Sequence, residues 1–253
     1  MASELLRSNG LSLFGNYNLS RTLQNLESTL RNDVRDRPLD YYNLDLEYGL
    51  GDFDQTHTWK FAVVYELPVG HDRRFGSEIP GVLDAIVGGW TVSMIGNYSS
   101  GTPLRFTGSA IPGWNGRANR PDVRNPDERS LLAGFDPSNF NPAAIAQGNY
   151  APHRYITPGL IVDHAPFTLG NAPFALDVRD PFARNEDISI QKAFRLGQQM
   201  RMQVRGELFN VFNRRTFGGG TGGIVTNVLD ERFGQITNVT GNRVGQLGVR
   251  LEF

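Results

Sequence analysis

Val244-Gly245-Gln246-Leu247-Gly248-Val249-Arg250-Leu251-Glu252-Phe253 alternates strictly and stops on an aromatic residue. Leu247, Val249, Leu251 and Phe253 fall on one face of an extended strand, and Gln246, Arg250 and Glu252 with the side-chain-free Gly248 fall on the other. One face suits hydrocarbon and the other water. Chain ends normally fray into solvent, so an amphipathic strand that finishes flush on Phe253 reads as an outer-membrane barrel strand.

The same period recurs upstream. After an Asn9-Gly10 turn signal, Leu11, Leu13, Tyr17 and Leu19 share a face. In the next run Trp59, Phe61, Val63, Tyr65 and Leu67 oppose Thr58, Lys60 and Glu66, and further on Trp90, Val92, Met94 and Tyr98 alternate with Thr91, Ser93, Ile95 and Asn97. A strand over 187–194 and a Leu196–Gln199 turn lead into the cleanest dyad, Met200, Met202, Val204 and Leu208 against Arg201, Gln203, Arg205 and Glu207. Charges alternating with apolar residues along a whole strand suit the wall of a water-filled lumen, which assigns Arg201, Gln203, Arg205, Glu207 and Arg250 to the lumen side. Trp59, Tyr65, Trp90 and Tyr98 are candidates for interfacial aromatic girdles, with burial in a core as the alternative.

The connections differ in length. Those near Asn9-Gly10, His71 to Gly89 (with a helical turn near Val82 to Ile86) and Gly197-Gln198 are short or compact; those over about 24–54, 107–184 and 213–242 are long. Outer-membrane barrels have short periplasmic turns and long extracellular loops, so Phe253 is placed at the periplasmic end. The fold class expected is all-β: an antiparallel meander of about six long strands from a transmembrane β-barrel, open and partial, with long extracellular loops. The stretch 107–184 shows no sustained period and is expected to be functional or disordered.

Composition agrees with a protein lacking a large dry core: 39% of residues are hydrophobic, and 29 Gly and 14 Pro favour strands and irregular loops. A net charge of −1, with Arg spread along the chain, argues against nucleic acid as a partner. There is no Cys, hence no disulfide or thiolate chemistry. No run approaches the roughly 18 apolar residues of a membrane helix, and the start, Met1-Ala2-Ser3-Glu4-Leu5-Leu6-Arg7, has no signal-peptide pattern.

Several segments together resemble the carboxy-terminal barrel of TonB-dependent outer-membrane receptors, specifically the Oar-like group. These are Asp52-Phe53-Asp54-Gln55-Thr56-His57 leading to Tyr65-Glu66-Leu67-Pro68-Val69-Gly70, Gly88-Gly89-Trp90 through Ser100-Gly101-Thr102-Pro103, and Glu207-Leu208-Phe209-Asn210-Val211-Phe212-Asn213. Gln246, Gly248, Leu251 and Phe253 match the terminal signal read by the β-barrel assembly machinery. The resemblance implies an outer-membrane location and contact with outer-membrane lipid. It also implies, in a complete receptor, a plug domain and coupling to TonB. Complete receptors have about twenty-two strands, a signal peptide, a TonB box and a plug, so residues 1–253 are expected to be one barrel segment of such a receptor, without plug or signal peptide.

Chemical sites are weakly indicated. Asp163-His164 with His153 is a candidate metal set, against solvated loop residues as the plainer reading. Asp54 with His57 is expected to fix a loop-to-strand transition, and the Gly218 to Gly223 run lacks the Lys-Ser/Thr of a phosphate loop and reads as a mobile loop. No paired carboxylates or nucleophile elbow appear, so the expectation is no enzyme, no cofactor and no metal. The glycosylation sequons at Asn18, Asn97 and Asn238 are read as coincidental, because the resemblance implies a bacterial chain. The different-class alternative is a soluble all-β module that binds carbohydrate through Trp114, Tyr150 and Tyr155 of the long loop, and a third reading is a gene remnant.

Overall fold

The computed structural model describes every residue except 1, 26–37, 72, 112–118, 125–130, 150–152, 197–198 and 219–222. Seven strands form one antiparallel sheet in chain order: β1 Ala2–Ser8, β2 Leu11–Leu19, β3 His57–Glu66, β4 Trp90–Ser99, β5 Ala183–Arg195, β6 Arg201–Phe209 and β7 Val244–Glu252. Each strand pairs with its neighbour in sequence, and β1 and β7 are the two edges of an open sheet. The six expected strands are present. A seventh, β1, precedes them, paired with β2 from Ala2 opposite Tyr17 to Ser8 opposite Leu11. β5 begins at Ala183, four residues before the alternation becomes readable at Asp187, because its first turnout carries Arg184, Asn185 and Glu186 and shows no apolar side.

At one end of the sheet the connections are compact. Asn9 and Gly10 both have positive φ, 47° and 80°, as the favoured two-residue hairpin turn requires. Residues 67–89 include a short helix, α1 Gly81–Val87, where a helical turn was expected. In the third turn, whose residues 197–198 lie outside the described set, the Leu196 N–H donates to the Met200 carbonyl at 2.9 Å.

At the other end the three long connections fold together. Four two-residue to four-residue ladders stitch them: Leu23–Gln24 with Gly49–Leu50, Pro103–Leu104 with Leu176–Arg179, Asp122–Val123 with Ile161–Val162, and Thr216–Phe217 with Val239–Thr240. A second short helix, α2 Pro142–Ala146, is capped by the Asn141 side chain, which accepts from the Ala143 and Ala144 N–H groups. Leu104, Phe106, Leu131, Phe140, Ile156, Ile161, Leu176, Val178, Phe217, Ile224, Phe233 and Ile236 make one buried cluster drawn from the second and third connections. The described part of 107–184 is therefore an ordered, cored structure. Its lack of period in the sequence reflects a core assembled from bridges and turns, which have no repeating face.

Candidate functional site

The candidate functional surface of this chain is the sheet itself, and register decides what each face carries. Tyr65 stands opposite Leu11 and Val92, Met94 opposite Val63 and Ile188, and Leu208 opposite Ile188. Met202 with Leu251 and Val204 with Val249 extend the same face to the edge. This apolar face is not covered: Leu13, Trp59, Ile190, Leu247, Val249 and Leu251 are all exposed, Leu247 at 87%. An exposed contiguous apolar surface marks a site of protein or membrane contact. Gly206 and Gly245 leave an open recess of about 780 Å³ on it, lined by Val92, Ile188, Ile190, Leu208 and Leu247, with no convergent set of polar groups.

The candidate girdle residues all lie on this face and separate into two bands. Trp59 and Tyr98 are at the loop end, their rings 5.3 Å apart, and each is in contact with Phe61 at 5.0 and 5.8 Å. Phe61 lies across Gly96, where a Cβ would sit 2.1 Å from the ring, so the glycine makes room for the aromatic. Tyr65 and Trp90 are at the turn end. Trp59 and Tyr65 are six positions apart on β3, about 20 Å along a strand. That spacing fits an apolar band of about 25 Å with aromatics at both margins.

The opposite face is polar at the carboxy-terminal strands. Arg201, Gln203, Arg205 and Glu207 of β6 pair in register with Glu252, Arg250, Gly248 and Gln246 of β7. Gln203 Nε2 donates to Gln191 Oε1 at 3.0 Å, Arg205 is ion-paired with Glu207, Arg250 with Glu252 at 3.1 Å, and the Gln246 amide donates to Glu207. No side chain is near the position of a Cβ at Gly248, opposite Arg205. Of the remaining terminal residues, Leu251 lies on the apolar face and Phe253, one residue past β7, is 97% exposed.

Where the strands meet the loops, a row of buried polar links holds the connections, and the segments that carry the family resemblance supply part of it, including Asp54 and Asn210. Asp54 is wholly buried and accepts from the Thr22 N–H, from Thr56 Oγ1 at 3.3 Å and from Arg179 Nη2 at 2.8 Å. Burial pushes its carboxyl up, but the Thr22 N–H and the Arg179 guanidinium outweigh that and hold it below the ordinary carboxylate range. Asp54 thus fixes a loop-to-strand transition, through Thr22, Thr56 and Arg179; His57 instead meets the Tyr17 hydroxyl through Nδ1 at 2.7 Å. Arg179 also donates to the carbonyl of Gly101, whose Cβ would lie 1.9 Å from the Asp180 carbonyl oxygen, so only glycine permits this crossing. Glu47, 1% exposed, is paired with Arg120 at 2.6 Å, tying the first connection to the second again.

Asn210 does the same for the third connection. Left-handed at φ 50°, it receives the Arg214 N–H on its side-chain oxygen and donates its amide to the carbonyls of Arg214 and Gly241. It therefore clamps the chain leaving β6 to the chain entering β7. Beside it Glu186, wholly buried, accepts from Tyr98 Oη at 2.7 Å and from Arg214 Nε at 2.9 Å. None of these links is evident from spacing. One signal was present: Glu186 has the same parity as Ile188 and Ile190, and a carboxylate in an apolar register needs a cation and a donor.

The candidate metal residues occupy separate places. Both ring nitrogens of His164 face carbonyl oxygens, Nε2 that of Ser109 (2.9 Å) and Nδ1 that of Ala165 (2.8 Å), with Asp163 at 3.8 Å, an arrangement in which both nitrogens donate when the ring is protonated. His153 faces Phe140, ring centroids 4.7 Å apart, and approaches the Asn141 carbonyl. Among the described residues no three His, Asp or Glu side chains form a metal-ligating group. Tyr155 supports the loop core: its hydroxyl donates to the Arg179 carbonyl at 2.7 Å, and burial pushes its phenol up to about 12. Trp114, Tyr150 and residues 219–222 of the Gly-rich run lie outside the described residues.

No curated protein and no solved structure matches the chain. The family model of the outer membrane beta barrel domain matches residues 6–246, from within β1 to within β7. An open antiparallel meander with an exposed apolar face, two aromatic margins and all long connections at one end belongs, on that match, to the outer membrane beta barrel domain family.

Proposed function

We propose that the chain forms part of the wall of a TonB-dependent outer-membrane receptor of the Oar-like group, through which a large ligand is imported. In this reading the apolar face contacts outer-membrane lipid, and Arg201, Gln203, Arg205, Glu207 and Arg250 line the hydrated lumen, where they would meet a plug domain. The wall is passive: it performs no catalysis and needs no cofactor, and energy reaches a complete receptor from TonB. The observation that carries the reading is the inverted distribution of the sheet, whose large apolar side chains are exposed while its opposite face is charged.

The open edges support a segment rather than a whole pore. Unpaired backbone groups in hydrocarbon cost several kcal/mol each, so β1 and β7 require further strands beside them in a membrane. Gln246, Gly248, Leu251 and Phe253 would present the assembly signal at the periplasmic end of β7.

The test uses outer membranes of cells that express the protein from its own locus. Expected are a detergent-requiring, heat-modifiable species and a chemical crosslink from the same assembly to TonB. Membrane extraction without any TonB crosslink would leave a barrel of another kind and reject the receptor reading. A protein monodisperse in plain buffer would reject the membrane reading as well and favour a soluble binding module.

A further inference from the structure

Helix α1 is turned the wrong way round for a helix in water. At 100° per residue Val82, Leu83, Ile86 and Val87 span an apolar arc of about 140°, with Asp84 on the far side. The arc points outward: Val82 is 78% and Ile86 63% exposed, and no residue of the helix is buried. Its inner side is fastened by polar contacts instead. Asp84 Oδ1 accepts the His71 N–H at 2.6 Å, and the Ile86 carbonyl accepts Trp90 Nε1 at 2.8 Å. The Asp84 carbonyl accepts the Gly88 N–H at 2.9 Å and Lys192 Nζ at 3.1 Å.

Trp90 and Lys192 fix where the helix lies. They are opposite each other in register, and both belong to the parity that carries Val92, Ile190 and Phe194 on the apolar face. Lys192 is 5% exposed, its ammonium 5.7 Å from the Trp90 ring centroid and 5.1 Å from that of Phe194. A cation in an apolar register at a strand end is tolerable only if its charge finds acceptors, and the end of α1 supplies a carbonyl. The helix that carries the outward arc is therefore held at the turn-end aromatic margin of the sheet's apolar face, by Trp90 and Lys192.

We propose that α1 is an interfacial anchor whose Val82, Leu83, Ile86 and Val87 arc is seated in phospholipid of the periplasmic leaflet, at the boundary of headgroups and acyl chains, with Trp90 and Lys192 clamping it to the barrel wall. Arg73 and Arg74 belong to the same connection, Arg73 ion-paired with Glu66 at 3.6 Å and Arg74 over the Phe75 ring at 5.5 Å. The inference depends on the membrane placement of the sheet and not on the TonB-dependent reading.

The chain has no cysteine, so single probes are placed without background. The full chain carrying Ile86→Cys, Leu247→Cys or Asp45→Cys, each labelled with an environment-sensitive fluorophore, is reconstituted in phosphatidylcholine–phosphatidylglycerol vesicles containing nitroxide lipids of graded depth. Heat-modifiability confirms folding of each variant. Expected is strong quenching at position 86 by the shallow nitroxide, deeper quenching at 247, and none at 45 in the loop structure. A probe at 86 that stays unquenched while the one at 247 is quenched overturns the anchor alone. If neither is quenched, the sheet is not in the bilayer and the anchor fails with it.

Discussion

The sheet and the structure built by its long connections obey opposite burial rules. All eighteen buried hydrophobic residues among those described, from Leu39 to Ile236, lie outside the seven strands. Within the strands whose side chains are described, the buried residues are Gly96, Glu186 and Lys192. The loop structure thus carries its own core and is stabilised as soluble proteins are, by apolar burial away from water. The sheet has exported its apolar surface and depends on a hydrocarbon solvent to bury it, while the two charges in its apolar register, Glu186 and Lys192, are held by specific partners. One chain is folded by two solvents, and the row formed by Asp54, Arg179, Glu186, Arg214 and Asn210 marks the boundary.

If the two regions are stabilised separately, each can be damaged separately. Ile236→Ala removes a wholly buried side chain from the centre of the loop core and is expected to cost about 2–5 kcal/mol there. Limited proteolysis in vesicles should then cleave the connections while β2 to β7 remain protected and heat-modifiable. Joint loss of both signals would show a single cooperative unit. The converse variant is Met94→Arg, in the middle of the apolar face between the two aromatic bands. Its cost is expected to be about 2–4 kcal/mol in urea titrations of the membrane-inserted protein. Ser93→Arg, one residue away on the other face, should change stability little; equal effects at 93 and 94 would refute the assignment of faces.

The sheet was legible in the sequence because a strand with two different solvents on its two sides must alternate, and Leu247-Val249-Leu251 or Met202-Val204 display that directly. β1 was not legible, since Ala2 to Ser8 has adjacent Leu5 and Leu6 and no alternation to follow. The loop structure was unreadable for a different reason. Leu131, Ile156 and Ile236 converge from turns and isolated bridges, so no fixed spacing announces them. The resemblance segments were recognisable as patterns, but their physical work became visible only in contacts: Asp54 and Arg179 are separated by 125 positions, and neither spacing nor composition pairs them.

Asn210 tests the boundary itself. Asn210→Ala removes the hydrogen bonds to Arg214 and to the Gly241 carbonyl and leaves an alanine at φ 50°. The expected cost is about 1–3 kcal/mol. It should appear as faster hydrogen exchange at both Arg214 and the residues entering β7, because the clamp joins those two segments. Exchange confined to one of them would show that Asn210 shapes a local turn and does not join the connection to the sheet.

The smallest effect expected is a pH dependence confined to the loop structure. Burial works against charge on His164, but the carbonyls of Ser109 and Ala165 accept both N–H groups of the protonated ring, and Asp163 and Asp122 lie near, so its pKa is raised above the ordinary histidine value. A group with a raised folded pKa contributes stability that is fully present below its unfolded pKa of about 6.5 and is lost as pH rises through the folded value. Protease sensitivity near Ser109 and His164 should therefore increase on going from mildly acidic to mildly alkaline buffer, and His164→Gln, which cannot carry the charge, should remove the dependence. Asp54 titrates in the opposite sense: its lowered pKa gives stability present above about 3.9 that falls away as the solution is acidified through the folded value. The loop structure is then expected to be most resistant between the two windows, whereas the apolar face of the sheet, with no titrating group in its centre, should show neither transition. A heat-modifiability profile of the sheet that followed His164 would mean that the two regions share one stability after all.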